Sequence, residues 1–154
     1  MVLPTRNEGA LIGRKVAALP DYVDHIVVVD DASADDTAER ASVAALGRPD
    51  FSLVVHDARK GRRAALASGV QRASQGRPDL IVTTGDRRAE PLELADLLDA
   101  LLASDRTRLR AAGGTTAIRR EALEDRRRRG LRGLWSDYVL RHRVRKAGPA
   151  TEIA

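Results

Sequence analysis

Short apolar runs alternate with longer stretches of helical spacing along the first hundred residues. Residues 1–4, MVLP, are the first run, and residues 8–19, EGALIGRKVAAL, follow with helical periodicity. Residues 25–30, HIVVVD, form a continuous run rich in β-branched side chains, as a strand covered on both faces reads. Residues 35–46 suit a helix that Gly47 would close. Residues 51–56, FSLVVH, predict a third strand, residues 62–75 a helix ending near Gly76 and Pro78, and residues 79–84, DLIVTT, a fourth strand. Pro91 suits the first turn of the next helix, where its missing N–H costs nothing. Leu94, Leu97, Leu98, Leu101 and Leu102 share one stripe of that helix. Beyond residue 104 the pattern is weaker. GGTTAI reads as a strand, residues 119–125 as a short helix, residues 134–146 as an amphipathic helix, and TEIA as a last strand.

Four strand–helix alternations predict βαβ units and an α/β fold, three-layer α/β/α with a mostly parallel sheet. Right-handed crossovers place helices on both faces of such a sheet. Ligands then bind beyond the carboxyl ends of the strands. Those ends are residues 4–8, 30–37, 56–61 and 84–90. A chain of 154 residues fits one domain, and no repeat or linker divides it.

Composition narrows the function classes. Hydrophobic residues make up 43% of the chain but aromatics only 3%, so Ala, Leu and Val must fill the core. No cysteine is present, which excludes disulfides and thiolate metal sites and fits a cytoplasmic, reducing setting. No apolar run is long enough to cross a bilayer, and no signal peptide opens the sequence. The net charge of +5 conceals an asymmetry. Residues 1–105 hold 13 Lys/Arg against 17 Asp/Glu, a balance of −4, whereas residues 106–154 hold 14 against 5, a balance of +9. The basic stretch DRRRRGLRG, 125–133, favours phosphates, an anionic lipid surface or nucleic acid; a solvated arginine-rich surface explains it equally well. Specific nucleic-acid recognition is disfavoured, because Tyr22, Phe51, Trp135 and Tyr138 are too few to interleave with bases.

The strand ends carry the candidate chemistry. Asp30 and Asp31 stand where the second strand leaves the sheet. Adjacent strand residues point to opposite sides, so the two carboxylates have separate tasks. One can accept from ribose hydroxyls or a base N–H, and the other can support the loop. Ser33, Asp35 and Thr37 read best as turn and helix-cap formers. Asp86, at the end of the fourth strand, is placed to hold Mg²⁺ or Mn²⁺ against a diphosphate, or to pair with Arg87 and Arg88. Lys60 and Gly61 could meet a phosphate or simply turn the chain. His56 stands alone and reads as structural. No histidine pair has zinc spacing, and neither a Walker A nor a G-x-G-x-x-G motif is present.

Taken together, these stretches resemble glycosyltransferase family 2, with the GT-A nucleotide-diphospho-sugar transferase fold, and within it the dolichyl- or polyprenyl-phosphate sugar synthases. LPTRNEGALI is similar to the family's opening pattern. IVVVDDASADDTAERA is similar to its Asp-Asp-x-Ser-x-Asp-x-Thr motif, ARKGRRAALASGVQRA to its Gly-Lys-Gly helix start, and TTGDRRAEPLEL to its metal region. The later TAIRREALE and WSDYVLRHRVRKAGPATEI resemble its last strand–helix segments. The resemblance implies transfer of a sugar from a nucleotide-diphosphate sugar to an acceptor such as polyprenyl phosphate, with Mg²⁺ or Mn²⁺ as cofactor. It implies nucleotide contacts from Pro4, Arg6, Glu8, Asp30, Asp31 and Lys60, with Asp31 at the base. It further implies metal binding and catalysis at Asp86, an acceptor phosphate beside Arg120, and an acidic role for Asp137 in the late helix. Residues 1–104 would form the nucleotide-binding half and residues 105–154 a shortened acceptor-side half, whose basic character would also meet the membrane surface.

Departures from the family pattern support an alternative, a degenerate nucleotide-binding domain without catalysis. Arg6 replaces a tyrosine, Arg63 a glycine, Thr84 the first acid of D-x-D, Arg87 and Arg88 a Gly-Gln pair, and Thr116 an arginine. The segment between the metal strand and GGTTAI is also short.

Overall fold

The computed structural model describes residues 1–48, 50–84, 92–111, 114–129 and 150–152. The helix expected over 134–146 lies outside them, as do Asp86 and Asp137. The chain forms two compact units, Met1–Arg77 and Pro78–Ala154.

The first unit alternates strand and helix three times: β1 (Val2–Thr5), α1 (Gly9–Ala17), β2 (Ile26–Asp30), α2 (Thr37–Ala44), β3 (Phe51–Val55) and α3 (Arg62–Ala73). β2 pairs in parallel with β1 on one side and β3 on the other. Every residue of β2 is buried, as its unbroken apolar run requires of a central strand. The registers set Thr5 beside Asp30 and Asp30 beside Val55, so the three strands finish level. The loops that follow them, residues 6–8, 31–36 and 56–61, therefore leave at one end of this unit.

α3 packs on β1 and β2, and α1 packs on α2. The face that α3 buries consists of Ala65, Leu66, Gly69, Val70 and Ala73. Its small members, Ala65, Gly69 and Ala73, let the helix approach the sheet closely, which suits a core with few aromatics.

The second unit contains β4 (Leu80–Thr83), α4 (Leu92–Leu102), β5 (Arg108–Ala111), β6 (Thr116–Arg119), α5 (Arg120–Arg129) and β7 (Ala150–Glu152). Here β6 pairs antiparallel with β4 and β5, and β5 pairs antiparallel with β7. β5 was not expected from the sequence. Its RLRA offers only Leu109 and Ala111 as buried positions, too short an alternation to stand out between two arginines. In α4, Leu94, Leu97 and Leu101 are fully buried while Leu102 is exposed, so the leucine stripe is narrower than the five leucines suggested.

Arg119 closes the C-terminal end of α4. Its Nη2 donates to the carbonyls of Leu101 (2.9 Å) and Ser104 (3.1 Å), and its Nε to that of Arg106 (3.0 Å). A cation is well placed at a helix C-terminus, where carbonyls lack intrahelical partners. Arg119→Met is expected to destabilise the protein by about 1.5–3 kcal/mol, the usual worth of charged hydrogen bonds. Urea unfolding monitored by circular dichroism measures this loss, and an unchanged midpoint refutes it.

Candidate functional site

The first two loops of the Met1–Arg77 unit are laced together by reciprocal hydrogen bonds. The Asn7 N–H donates to Ser33 Oγ (2.9 Å), and Asn7 Oδ1 accepts from the Ala34 N–H (2.9 Å). The Glu8 N–H donates to Thr37 Oγ1 (2.9 Å), and the Gly9 N–H to Asp35 Oδ2 (3.0 Å). Asp35 also accepts from the Thr37 N–H (3.1 Å) and from the Thr37 hydroxyl. The Thr37 hydroxyl is the main reason the Asp35 carboxyl titrates below its ordinary range. Asp35 and Thr37 thus fasten the start of α2 to the start of α1, while the N-cap itself is Asp36, which makes no side-chain cap bond.

This lacing holds two residues in the left-handed region, Asn7 at φ 50° and Ala32 at φ 55°. Asn tolerates that conformation, but Ala carries a Cβ penalty. Ala32→Gly is therefore expected to stabilise the protein by about 0.5–1 kcal/mol, since relief of strain exceeds the added freedom of the unfolded chain. A lowered thermal midpoint would contradict this.

Glu8 is 7% exposed. Its Oε2 accepts from Thr5 Oγ1 (3.1 Å) and Lys15 Nζ (2.9 Å), which supplies the charge partner a buried carboxylate needs. Pro4 lies within β1 beside Val29, half-buried. Arg6 follows β1 directly, and its Nε is buried with no partner among the described residues.

The aspartate pair divides as strand geometry requires. Asp30 is 3% exposed, and its Oδ1 accepts from the Ser33 N–H (3.0 Å) and the Ser33 hydroxyl. Asp31 is 4% exposed and serves the third loop. Its Oδ1 receives the Lys60 N–H (2.8 Å) and His56 Nδ1 (2.8 Å), and its Oδ2 receives the Gly61 N–H (2.8 Å). Burial raises the Asp31 pKa, but the donors from His56, Lys60 and Gly61 outweigh it and hold the carboxyl below its ordinary value. A carboxylate offers about four acceptor positions, and Asp31 has committed three of them to its own chain.

His56 was legible as structural but not as the partner of Asp31. The parallel register explains the pairing: Asp30 lies beside Val55, so the next residues, Asp31 and His56, lie side by side. The signal was present in two strands that end alike, VVVDD and LVVHD. The other ring nitrogen, Nε2, lies 2.9 Å from Ser68 Oγ on α3.

Lys60 contributes its backbone to Asp31 and leaves its side chain exposed, without a hydrogen bond or ion pair among the described residues. Arg120 belongs to the second unit. Its side chain is 40% exposed and pairs with Asp79 (3.2 Å) and Glu124 (3.8 Å). Pairs this exposed contribute little to stability, so they can give way to a stronger anion. Among the described residues no three His, Cys, Asp or Glu side chains gather into a group that could hold a metal ion. Asp86, the expected metal ligand, lies outside those residues. No helix among them is long and apolar enough to cross a membrane.

Comparison with known proteins adds the lineage. Residues 1–107 match the family model described as glycosyl transferase family 2. A polyprenol monophosphomannose synthase of Mycolicibacterium smegmatis is 36% identical over 107 residues, covering 66% of this chain and 40% of that protein. A mannosyltransferase from Pyrobaculum calidifontis, solved with GDP-Man and Mn²⁺, superposes with a TM-score of 0.64 at 23% identity, over 80% of this chain and 45% of its own. Glucosyl-3-phosphoglycerate synthase from Mycobacterium tuberculosis, solved with Mn²⁺, UDP-glucose and phosphoglyceric acid, gives 0.62 at 23% identity, over 79% and 56%. The chain spans about 40% of the length of the curated relative it matches. By the match over residues 1–107, and by a fold shared with solved glycosyltransferases, this chain belongs to glycosyltransferase family 2 and has the GT-A α/β fold.

Proposed function

We propose that this chain binds a nucleotide-diphosphate sugar and contributes to transfer of the sugar to a polyprenyl or dolichyl phosphate. The observation that carries the reading is the level ending of three parallel strands, whose loops carry Arg6 and the exposed Lys60 side chain, which has no partner among the described residues. The likeness to a polyprenol monophosphomannose synthase supports the acceptor, and the nucleotide sugars held by the solved relatives support the donor. In the reaction an oxygen of the acceptor phosphate, already ionised, attacks the anomeric carbon. The new carbon–oxygen bond forms as the bond to the diphosphate breaks, and the nucleoside diphosphate leaves with the electron pair.

In this reading Pro4, Glu8 and Asp30 frame the nucleotide subsite. Asp31 holds its third loop and has one acceptor position left for the base or ribose. Asp86 would hold Mn²⁺ or Mg²⁺, which would supply charge stabilisation for the departing diphosphate. Arg120 would meet the acceptor phosphate, and Asp137 would supply an acidic group from the late helix. The basic residues 106–154 touch an anionic membrane surface from the cytoplasmic side, and no specific nucleic acid is recognised.

The second reading, binding without turnover, is favoured by Thr84 in place of a metal-motif acid and by Arg63 at the start of α3. One pair of measurements separates the two. Thermal shift with GDP and UDP, each with and without Mn²⁺, is expected to show stabilisation by one of them. A radiolabelled transfer assay to polyprenyl phosphate then reads turnover. Stabilisation without transfer selects the non-catalytic reading, and the absence of any nucleotide-dependent shift overturns both.

A further inference from the structure

The hydrogen-bonded series Ser68–His56–Asp31 is not used by the reading above. Its spacing matches that of a nucleophilic triad, but its surroundings do not. Ser68 lies within α3, beyond the first turn, where backbone N–H groups are spent inside the helix. No free amide pair is left beside Oγ to stabilise an oxyanion. The series instead runs inward to the third loop. Asp31, ionised and acceptor-only, requires the proton on His56 Nδ1, and Nε2 shares a hydrogen bond with the Ser68 hydroxyl, which can donate or accept. The ring is 5% exposed and its orientation is set at both nitrogens.

What the series holds is the turn before α3. Among the described residues, the side chains of Asp57, Arg59 and Lys60 are exposed and make no hydrogen bond or ion pair. The Lys60 and Gly61 amides, by contrast, are both bound to Asp31. Gly61 takes φ 87°, and α3 starts directly after it with no side-chain cap. Two tethers to a single carboxylate therefore decide how Lys60 and the first N–H groups of α3 are presented. Asp31 itself has two soft torsions, which are held by His56 Nδ1 and the Lys60 N–H on Oδ1 and by the Gly61 N–H on Oδ2.

We propose that His56 is a positioning residue of the donor subsite: by orienting Asp31 it fixes residues 57–61, so that Lys60 and the start of α3 face the diphosphate of a nucleotide sugar. The inference rests on the nucleotide-sugar reading for its ligand, but not for the loop itself.

Two conservative replacements separate the nitrogens. His56→Asn keeps a donor near the Nδ1 position and loses the Ser68 contact, whereas His56→Gln reaches toward Ser68 and loses the donor to Asp31. Wild type and both variants are compared by calorimetric titration with GDP and UDP in the presence of Mn²⁺, by amide exchange at Lys60 and Gly61, and by urea midpoint. His56→Gln is expected to weaken nucleotide binding about tenfold or more and to speed exchange at both amides, while His56→Asn stays within about threefold of wild type. Equal behaviour of the two variants, or affinities that follow the urea midpoints alone, overturns the positioning role. If wild type binds neither nucleotide, the donor reading fails. Faster exchange in His56→Gln than in His56→Asn still upholds the latch on residues 57–61, and equal exchange removes that as well.

Discussion

Asp31→Ala is expected to cost about 3–5 kcal/mol of folding stability and to abolish nucleotide binding. The first effect follows from what the carboxylate now satisfies: two partly buried backbone amides and one buried imidazole N–H. Removing one partner of a buried charged network strands the others, and each unsatisfied donor costs about 1–3 kcal/mol. The second follows because residues 57–61 lose both tethers. Asp31→Asn does not rescue, since its NH₂ would face donors. The pH dependence has a definite sign. The carboxyl titrates below its ordinary value of 3.8 in the folded protein, so its contribution is fully present above that value and is lost as pH falls through the folded-state pKa. The stability gap between wild type and Asp31→Ala, measured by urea unfolding, should therefore shrink as the pH falls below 3.8. A gap that is small at neutral pH, or that widens with acid, would show that the network is not the source.

Gly69→Val is expected to be the most damaging small substitution in the first unit, at about 3 kcal/mol or more. A Cβ at Gly69 would overlap Val2 Cγ1 and come within 2.9 Å of Val29 Cγ2. Both valines are fully buried on paired strands and are stiff at χ1, so they cannot swing aside. Overpacking of this kind costs about 1–3 kcal/mol for a methylene or two, and Val adds three carbons. Even Gly69→Ala should lose stability despite the better helix propensity of alanine. Gly76→Ala is the control, because nothing lies within 4 Å of its added Cβ. Thermal unfolding of the three variants decides the matter; a Gly69→Val protein as stable as the Gly76→Ala control would mean that α3 does not sit where the structure places it.

The periodicity of the chain was enough to place the strands and helices of the Met1–Arg77 unit, because each is a local pattern. The β-branched run at 26–30 demands burial on both faces, and the small-residue face of α3 repeats at helical spacing. The Asp-Asp strand end, and with it the likeness to a glycosyltransferase family, was legible for the same reason. Nothing local could announce β5, since four residues with two arginines become a strand only when β6 and β7 lie beside them. The direction of pairing in the second unit is likewise a property of partners, not of the apolar run in β4. The site divides in the same way. Residue types at the strand ends indicated carboxylates, caps and a lysine. Which group each carboxylate touches was decided by register and loop closure, which bring Asp31 to His56 across 25 residues and Glu8 to Thr37 across 29. Hydrogen bonds between groups so far apart in sequence leave no periodic trace, and only the folded chain shows that Asp31 is largely, and Asp30 partly, committed to holding the loops in place.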